Sequence, residues 1–177
     1  MFLYLAMIDS DADKSKFEIL YSEYKNLMYY TANHILRNSS DAEDVVHQAF
    51  LKVIEILDTI SSPRCHKTRA LLVTITEHKA IDLYREKQRR NVLPLAEEYI
   101  GAAPAAEIER LAERDTLAAA IASLPPRYRS VLLLRYDCGY SNAEIANILD
   151  TTEPNVRKLI QRAKEKLSAQ LSGMEEP

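Results

Sequence analysis

The chain has 177 residues, 23 of them Lys or Arg and 26 Asp or Glu, for a formal net charge of −3 at pH 7. That length suits one domain or two small ones; three glycines are too few for a loop-rich sandwich or a collagen-like chain, and 47% hydrophobic residues exclude global disorder. The longest apolar run, Met1 to Ile8, falls far short of the roughly 20 residues of a membrane span and lacks a signal peptide's basic flank and cleavage site, so the chain reads as soluble, cytoplasmic and mostly helical.

In chain order, Asp9, Asp11 and Asp13 copy the first ligands of a calcium loop, but Lys14 stands where that loop needs Gly and Leu20 where it needs Glu. They read as a solvated lead into a helix. Phe17, Leu20, Tyr21, Tyr24, Leu27, Met28, Thr31 and Ile35 recur at three- and four-residue steps, predicting an amphipathic helix of about 20 residues. Asn38-Ser39-Ser40 interrupts it, and Ser40 with Glu43 is expected to cap the next helix as a capping box. That helix carries an apolar stripe from Val45 and Val46 through Ala49, Phe50 and Val53 to Leu57, with Asp41, Asp44, His47 and Gln48 on its other face. Ser61-Ser62-Pro63 breaks it, giving a loop over 58–66.

Residues 68–90 contain a β-branched stretch, Val73-Thr74-Ile75-Thr76, yet Leu72, Ile75, Thr76, Ala80 and Leu83 keep helical spacing, so a helix is expected. It ends in the basic cluster Arg85 to Arg90. Pro94, Gly101 and Pro104 then mark an acidic linker over 91–106. The predicted organisation is all-α, with one small helical domain over 1–90, the linker, and a second over 107–177.

In the second domain a helix over roughly 107–123 is closed by Pro125-Pro126, and another follows from Arg127 to Asp137. Gly139 suits the left-handed position after a helix end. Ser141 with Glu144 is a second capping box, opening a short helix over Asn142–Leu149. Asp150-Thr151-Thr152 turns the chain, and Pro154 sits in the first turn of a helix reaching about Leu171.

Two cysteines, Cys65 and Cys138, are too few for a disulfide scaffold. Cys65-His66, even with His34 or His47, has no metal-ligand spacing, so no metal or other cofactor is expected. No Gly-rich phosphate loop and no nucleophile–base arrangement accompanies them, which argues against an enzyme.

Charge is uneven. Residues 1–90 balance 13 basic against 13 acidic groups, 91–116 hold 2 against 6, and 117–177 hold 8 against 7. Basic groups concentrate over 67–90 and over 157–166, as either local anion-binding surfaces or solvated helix faces. The short helix, turn and longer basic helix of the second domain make a helix-turn-helix candidate. Ile145, Ala146, Leu149, Val156, Ile160 and Ala163 would form its core. Asn155, Arg157, Lys158, Gln161 and Arg162 would then face outward, where such side chains reach phosphates and base edges. An ordinary helical hairpin with a polar outer face fits the same pattern.

Three stretches carry a family resemblance. Asp41-Ala42-Glu43-Asp44-Val45-Val46-His47-Gln48-Ala49-Phe50 resembles the conserved-region-2 helix of bacterial sigma factors, and Ala80-Ile81-Asp82-Leu83-Tyr84-Arg85 its closing helix. Leu124-Pro125-Pro126-Arg127-Tyr128-Arg129-Ser130-Val131-Leu132-Leu133-Leu134-Arg135-Tyr136 and the helix-turn-helix after it resemble region 4. Two domains on a short linker, with no counterpart of region 1.1 or a full region 3, resemble the extracytoplasmic-function class of the sigma-70 family.

The resemblance implies a transcription initiation factor that binds core RNA polymerase, at the clamp helices and the flap, and directs it to promoter DNA. On that basis Asp41, Glu43, Asp44, Gln48 and Phe50 would dock the polymerase. The 58–67 loop would capture a base flipped from the −10 element, with Arg64, His66, Lys67 and Arg69 as its contacts, since unstacking a base demands compensating stacking or hydrogen bonds. Arg85, Lys87, Arg89 and Arg90 would hold phosphates, the Asn155–Arg162 face would read the −35 element, and the acidic linker would lie near the RNA path. The sequence departs from the family pattern at Leu71, where an aromatic is common, and at Thr74 and Glu77, where basic groups are. It also departs at Asp150, in place of a turn Gly, and at Leu159, where Arg is frequent, and it has no Trp. His78 would be a further −10 contact only if the region opens DNA in the family's way. Beyond the short tail Gly173–Pro177 no regulatory extension is expected, so the resemblance adds a separate anti-sigma factor as a candidate partner. The rival readings are a one-component helix-turn-helix repressor binding DNA as a symmetric dimer, and a helical adaptor that binds no DNA.

Overall fold

The computed structural model describes residues 2–90 and 116–174, and the chain divides into two compact units, Met1–Pro94 and Leu95–Pro177. The linker expected over 91–106, the start of the helix expected over 107–123 and the last three residues of the tail lie outside the described residues. Among the described residues every regular element is helical.

In unit 1, α1 (Phe2–Leu5), α2 (Asp11–Leu36), α3 (Ser39–Glu55) and α4 (His66–Arg90) are the α-helices, and α2, α3 and α4 pack pairwise into a bundle. Helix α2 begins earlier than its apolar period suggests. Ser10 caps it, accepting from the Asp13 N–H at 3.4 Å, and Asp11 and Asp13 occupy its first turn, where acids complement the helix dipole. The core is built from Phe17, Leu20 and Met28 of α2, Val45, Phe50 and Val53 of α3, and Leu71, Leu72 and Ile75 of α4. Residues ahead of α2 add to it: Tyr4 and Ile8 are both buried. The Tyr4 ring lies 5.4 Å from Phe17 and 5.9 Å from Phe50, and Tyr21 lies 4.9 Å from Phe50, the tilted spacing aromatic quadrupoles favour.

The expected capping box at the start of α3 is not formed. Arg37 ends α2 in the left-handed region, φ 51°, with its N–H on the Asn33 carbonyl at 2.8 Å. Asn38 is therefore the first residue free to extend, and its side chain accepts from the Asp41 N–H at 3.0 Å. Ser40 already lies inside the helix, two positions past the cap. At the other end α3 stops at Glu55, and Leu57 belongs to a 3-10 turn, Leu57–Thr59. The β-branched stretch of α4 is helical as expected; Thr76 settles its buried hydroxyl by donating to the Leu72 carbonyl at 2.8 Å.

Unit 2 contains α5 (Thr116–Ser123), α6 (Pro126–Leu132), α7 (Asn142–Ile148) and α8 (Glu153–Met174), with α5, α6 and α7 packed on α8. Pro126 opens α6 at a position where its missing N–H costs nothing, so only Leu124 and Pro125 separate the two helices, Pro125 as the non-helical cap. The helix expected through Asp137 changes winding on the way: Leu133–Asp137 is a π-helical turn, with the Cys138 N–H on the Leu133 carbonyl at 2.9 Å. Gly139 follows in the left-handed region at φ 82°, as its place after a helix end requires.

Candidate nucleic-acid and polymerase interfaces

Local chemistry fixes both helices of the helix-turn-helix. The Ser141 capping box forms as expected: Ser141 Oγ accepts from the Glu144 N–H at 3.2 Å, and the Ser141 N–H donates to Glu144 Oε2 at 2.7 Å. Hydrogen bonding to the carboxylate from Ser141, from its side chain first and its backbone N–H second, holds the Glu144 carboxyl below the ordinary carboxylate range. The turn out of α7 is a Schellman motif. The Thr151 N–H reaches the Ala146 carbonyl at 2.9 Å and the Asp150 N–H the Asn147 carbonyl at 3.3 Å. Asp150 takes φ 47° where Gly is usual, a conformation its short polar side chain tolerates better than most.

Ile145, Ala146, Val156, Ile160 and Ala163 are buried and Leu149 is half-buried, so the expected core is the one observed. Asn155, Arg157, Lys158, Gln161 and Arg162 are all exposed. Three of them rest on near neighbours: Arg157 on Glu153 at 2.6 Å, Gln161 on Glu165 at 3.0 Å and Asn155 on Thr151 at 3.4 Å. Exposed pairs one helical turn apart contribute only about 0.2–0.5 kcal/mol, so exchanging them for phosphates or base edges costs little. Leu159 is half-buried and does not belong to the outward face.

In unit 1, Glu43, Asp44 and Gln48 are exposed together on α3, beside a cavity of about 460 Å³ whose lining includes Tyr21, Tyr29, Glu43 and His47. Asp41 is half-buried and forms an ion pair with Lys87 at the far end of α4, so one expected polymerase contact and one expected phosphate contact meet each other. Phe50 corrects the expectation outright. It is 0% exposed at the centre of the aromatic cluster, and it supports α3 from behind instead of facing a partner.

The residues expected at the −10 element form two clusters. Arg64 lies in the loop just ahead of α4; His66, Lys67 and Arg69 sit at the helix start, and Arg85, Lys87, Arg89 and Arg90 at its end. At 1.5 Å per residue, His66 and Lys87 are about 30 Å apart, or about nine nucleotides at 3.4 Å each. Arg64 is exposed and paired with Glu23 of α2 at 3.0 Å; His66 and Lys67 are exposed and Arg69 half-buried. In the second cluster Arg90 pairs with Glu86 and the Arg89 Nε donates to the Arg85 carbonyl at 3.3 Å, all within the last turns, where basic groups also offset the helix dipole. Leu71, Thr74 and Glu77 are buried, so the departures from the family pattern on α4 fall on its inward part, and the conditional contact His78 is buried with them.

The loop between the 3-10 turn and α4 is held by side-chain hydrogen bonds that periodicity does not reveal, although it does place Tyr24 on the apolar stripe of α2. The Tyr24 hydroxyl donates to the Pro63 carbonyl at 3.0 Å, and Thr68 Oγ1 to the Ser62 carbonyl at 2.6 Å. Cys65 caps α4, its Sγ 3.4 Å from the Thr68 N–H and 3.3 Å from Thr68 Oγ1, and those bonds lower its thiol pKa. The one available sequence signal is negative: Pro63 has no N–H, so this loop needs outside partners for its backbone. Among the described residues no three His, Cys, Asp or Glu gather to hold a metal, and no helix is long and apolar enough to cross a membrane.

Fold and exposed groups together define a two-unit helical protein with a helix-turn-helix whose outer face is polar and basic. Residues 20–90 match the family described as Sigma-70 region 2 and residues 114–167 that described as Sigma-70, region 4. Similar relatives include the ECF RNA polymerase sigma factor SigW of Bacillus subtilis, 27% identical over 171 residues and covering 90% of each chain. Another is the ECF RNA polymerase sigma factor SigL of Mycobacterium tuberculosis, 26% identical over 154 residues and covering 86% of each. A solved structure of CnrH in complex with the cytosolic domain of CnrY is 28% identical, covers 89% of this chain and 88% of that one, and superposes with a TM-score of 0.39. The chain belongs to the sigma-70 family, in its extracytoplasmic-function class. It is a transcription initiation factor that binds core RNA polymerase and directs it to promoter DNA.

Proposed function

We propose that unit 2 reads the −35 element through Asn155, Arg157, Lys158, Gln161 and Arg162, and that unit 1 reads the −10 element through the two basic ends of α4. The single observation that carries this is the divided surface of α8: its apolar residues are buried against α7 while these five polar groups are exposed on an element locked at both ends of the turn. Asp41, Glu43, Asp44 and Gln48 supply the polymerase contact, without Phe50. The domain limits of this reading are 1–90 and 107–177 with a linker over 91–106, supported by the two family matches and the two compact units. The protein performs no catalysis of its own and works in the bacterial cytoplasm alongside the polymerase. An anti-sigma factor is a partner to be sought by co-purification.

The test is run-off transcription with core polymerase reconstituted with the full chain. Substituting Arg157 or Lys158 by Ala should reduce promoter-dependent starts, and loss of a phosphate contact should flatten the salt dependence of binding by about one unit. Unchanged promoter use in both variants would overturn the assignment of the recognition face. Tight duplex binding without polymerase, as a dimer on half-sites one turn apart, would support a repressor instead.

A further inference from the structure

We propose that Tyr24 and Thr68 are positioning residues for base capture: they hold the 60–65 loop in its working shape ahead of DNA binding, so discrimination at the −10 element depends on two side chains that do not touch the base. This rests on the reading of that loop as the base-capturing one.

The loop is short and tethered along its length. Ile60 is buried at one end, with its N–H on the Leu57 carbonyl at 3.2 Å. Thr68 holds the Ser62 carbonyl and Tyr24 the next one, Pro63, while Glu23 holds the Arg64 side chain. Consecutive carbonyls are thus drawn inward, and Ser61, Ser62 and Arg64 stay exposed on the outer side. Thr68 is itself only 4% exposed, so water does not compete for its bond. Burial raises the Tyr24 phenol above its ordinary pKa, which keeps it a donor throughout the neutral range.

The tethers come from two different helices. Tyr24 and Glu23 sit on α2, and Thr68 sits one turn into α4, so the loop is fixed against the bundle on two sides. A loop held in this way does not lose its conformational freedom at the moment of binding. Purely structural tethers would change stability and weaken all sequences alike. Positioning tethers change the ratio between the right base and a wrong one, because only the right base gains from a fixed pocket.

The experiment uses full-length protein assembled with core polymerase and single-stranded non-template oligonucleotides of the −10 element, matched or altered at one base, with affinity measured for each. Tyr24→Phe removes one hydroxyl and should reduce matched-over-altered discrimination roughly fivefold, the factor equivalent to one lost hydrogen bond. Thr68→Val should do the same, and Thr68→Ser, which keeps the donor, should restore it. Polymerase assembly and −35 duplex binding should be unchanged in all three. Uniform weakening with the discrimination ratio intact overturns the proposal, as does an unaltered ratio in Tyr24→Phe. If Thr68→Val fails to fold, Tyr24→Phe and Thr68→Ser decide the matter. A control carrying Arg64→Ala with His66→Ala separates the two levels. Lost discrimination there, with none lost in Tyr24→Phe, refutes positioning alone; intact discrimination in the control refutes base capture by this loop.

Discussion

Replacing Phe50 by Ala tests whether this residue is part of the polymerase surface or of the core. Its ring is fully buried and lies 4.9 Å from Tyr21, 5.7 Å from Phe17 and 5.9 Å from Tyr4, so truncation removes the shared wall of the whole aromatic cluster. Deleting such a ring costs about 3–5 kcal/mol, including the cavity left behind. Against the roughly 5–15 kcal/mol that stabilises a typical domain, this is about a fifth of the total or more. For a unit of this size it corresponds to a drop in melting temperature on the order of 20 °C. Phe50→Leu keeps much of the apolar volume and should cost about 1–2 kcal/mol. Substituting the exposed Asp44 and Gln48 by Ala should move stability by no more than about 0.5 kcal/mol each. The assay pairs thermal denaturation, followed by the near-ultraviolet dichroism of the tyrosines, with co-elution of the full chain and core polymerase at a temperature where every variant is folded. Phe50→Leu should assemble normally, whereas the Asp44 and Gln48 variants should assemble poorly from an intact fold. A Phe50→Ala variant that melts within about 1 kcal/mol of the parent, yet fails to assemble, would refute the core assignment.

Two further predictions concern the second unit. At Gly139 an added Cβ meets nothing within 4 Å, yet φ is +82°, so Gly139→Ala should destabilise by about 1–2 kcal/mol from backbone strain alone; a loss below about 0.3 kcal/mol in chemical denaturation would contradict that. Ser141→Ala should cost about 1 kcal/mol through the lost cap. Because Ser141 lowers the folded-state pKa of Glu144, that part of the cap is complete above the unfolded carboxyl value of about 4.3 and fades as pH falls through the lower folded one. The stability gap between parent and Ser141→Ala should therefore narrow in acid, and a gap constant from neutral pH to about 3 would show the carboxylate to be idle.

Features encoded within one helical turn are legible in the amino-acid sequence alone. Ser141 and Glu144 are three residues apart, and the α8 stripe repeats every three or four, so cap, core and outward face all follow from local spacing. The cap of α3 is not legible in this way, because choosing between Asn38 and Ser40 depends on Arg37 adopting φ 51°, which no residue type announces. Phe50 differs for another reason: its own register, in step with Val46 and Val53, places it inside, and only the family resemblance draws it outward. The loop tethers are illegible, since Tyr24 and Pro63 are 39 positions apart and Glu23 and Arg64 are 41 apart, beyond the reach of any periodicity. The split of the −10 residues into two clusters needs only the length of one helix.

The burial of Tyr4 and Ile8 bears on how this protein should be divided into fragments. The region 2 match begins at residue 20, inside α2, whereas buried side chains are contributed from residue 4 onward. A fragment cut at the edge of the match would lose Tyr4, Ile8 and Phe17. At about 1.5–3 kcal/mol for each buried apolar side chain, that loss rivals the whole stability of a small domain. Such a fragment would also display the newly bared face of Phe50 to its neighbours in solution and should aggregate. Homology marks the residues relatives share, while the edge of the folding unit lies where the chain stops adding to the core, some sixteen residues earlier in this protein.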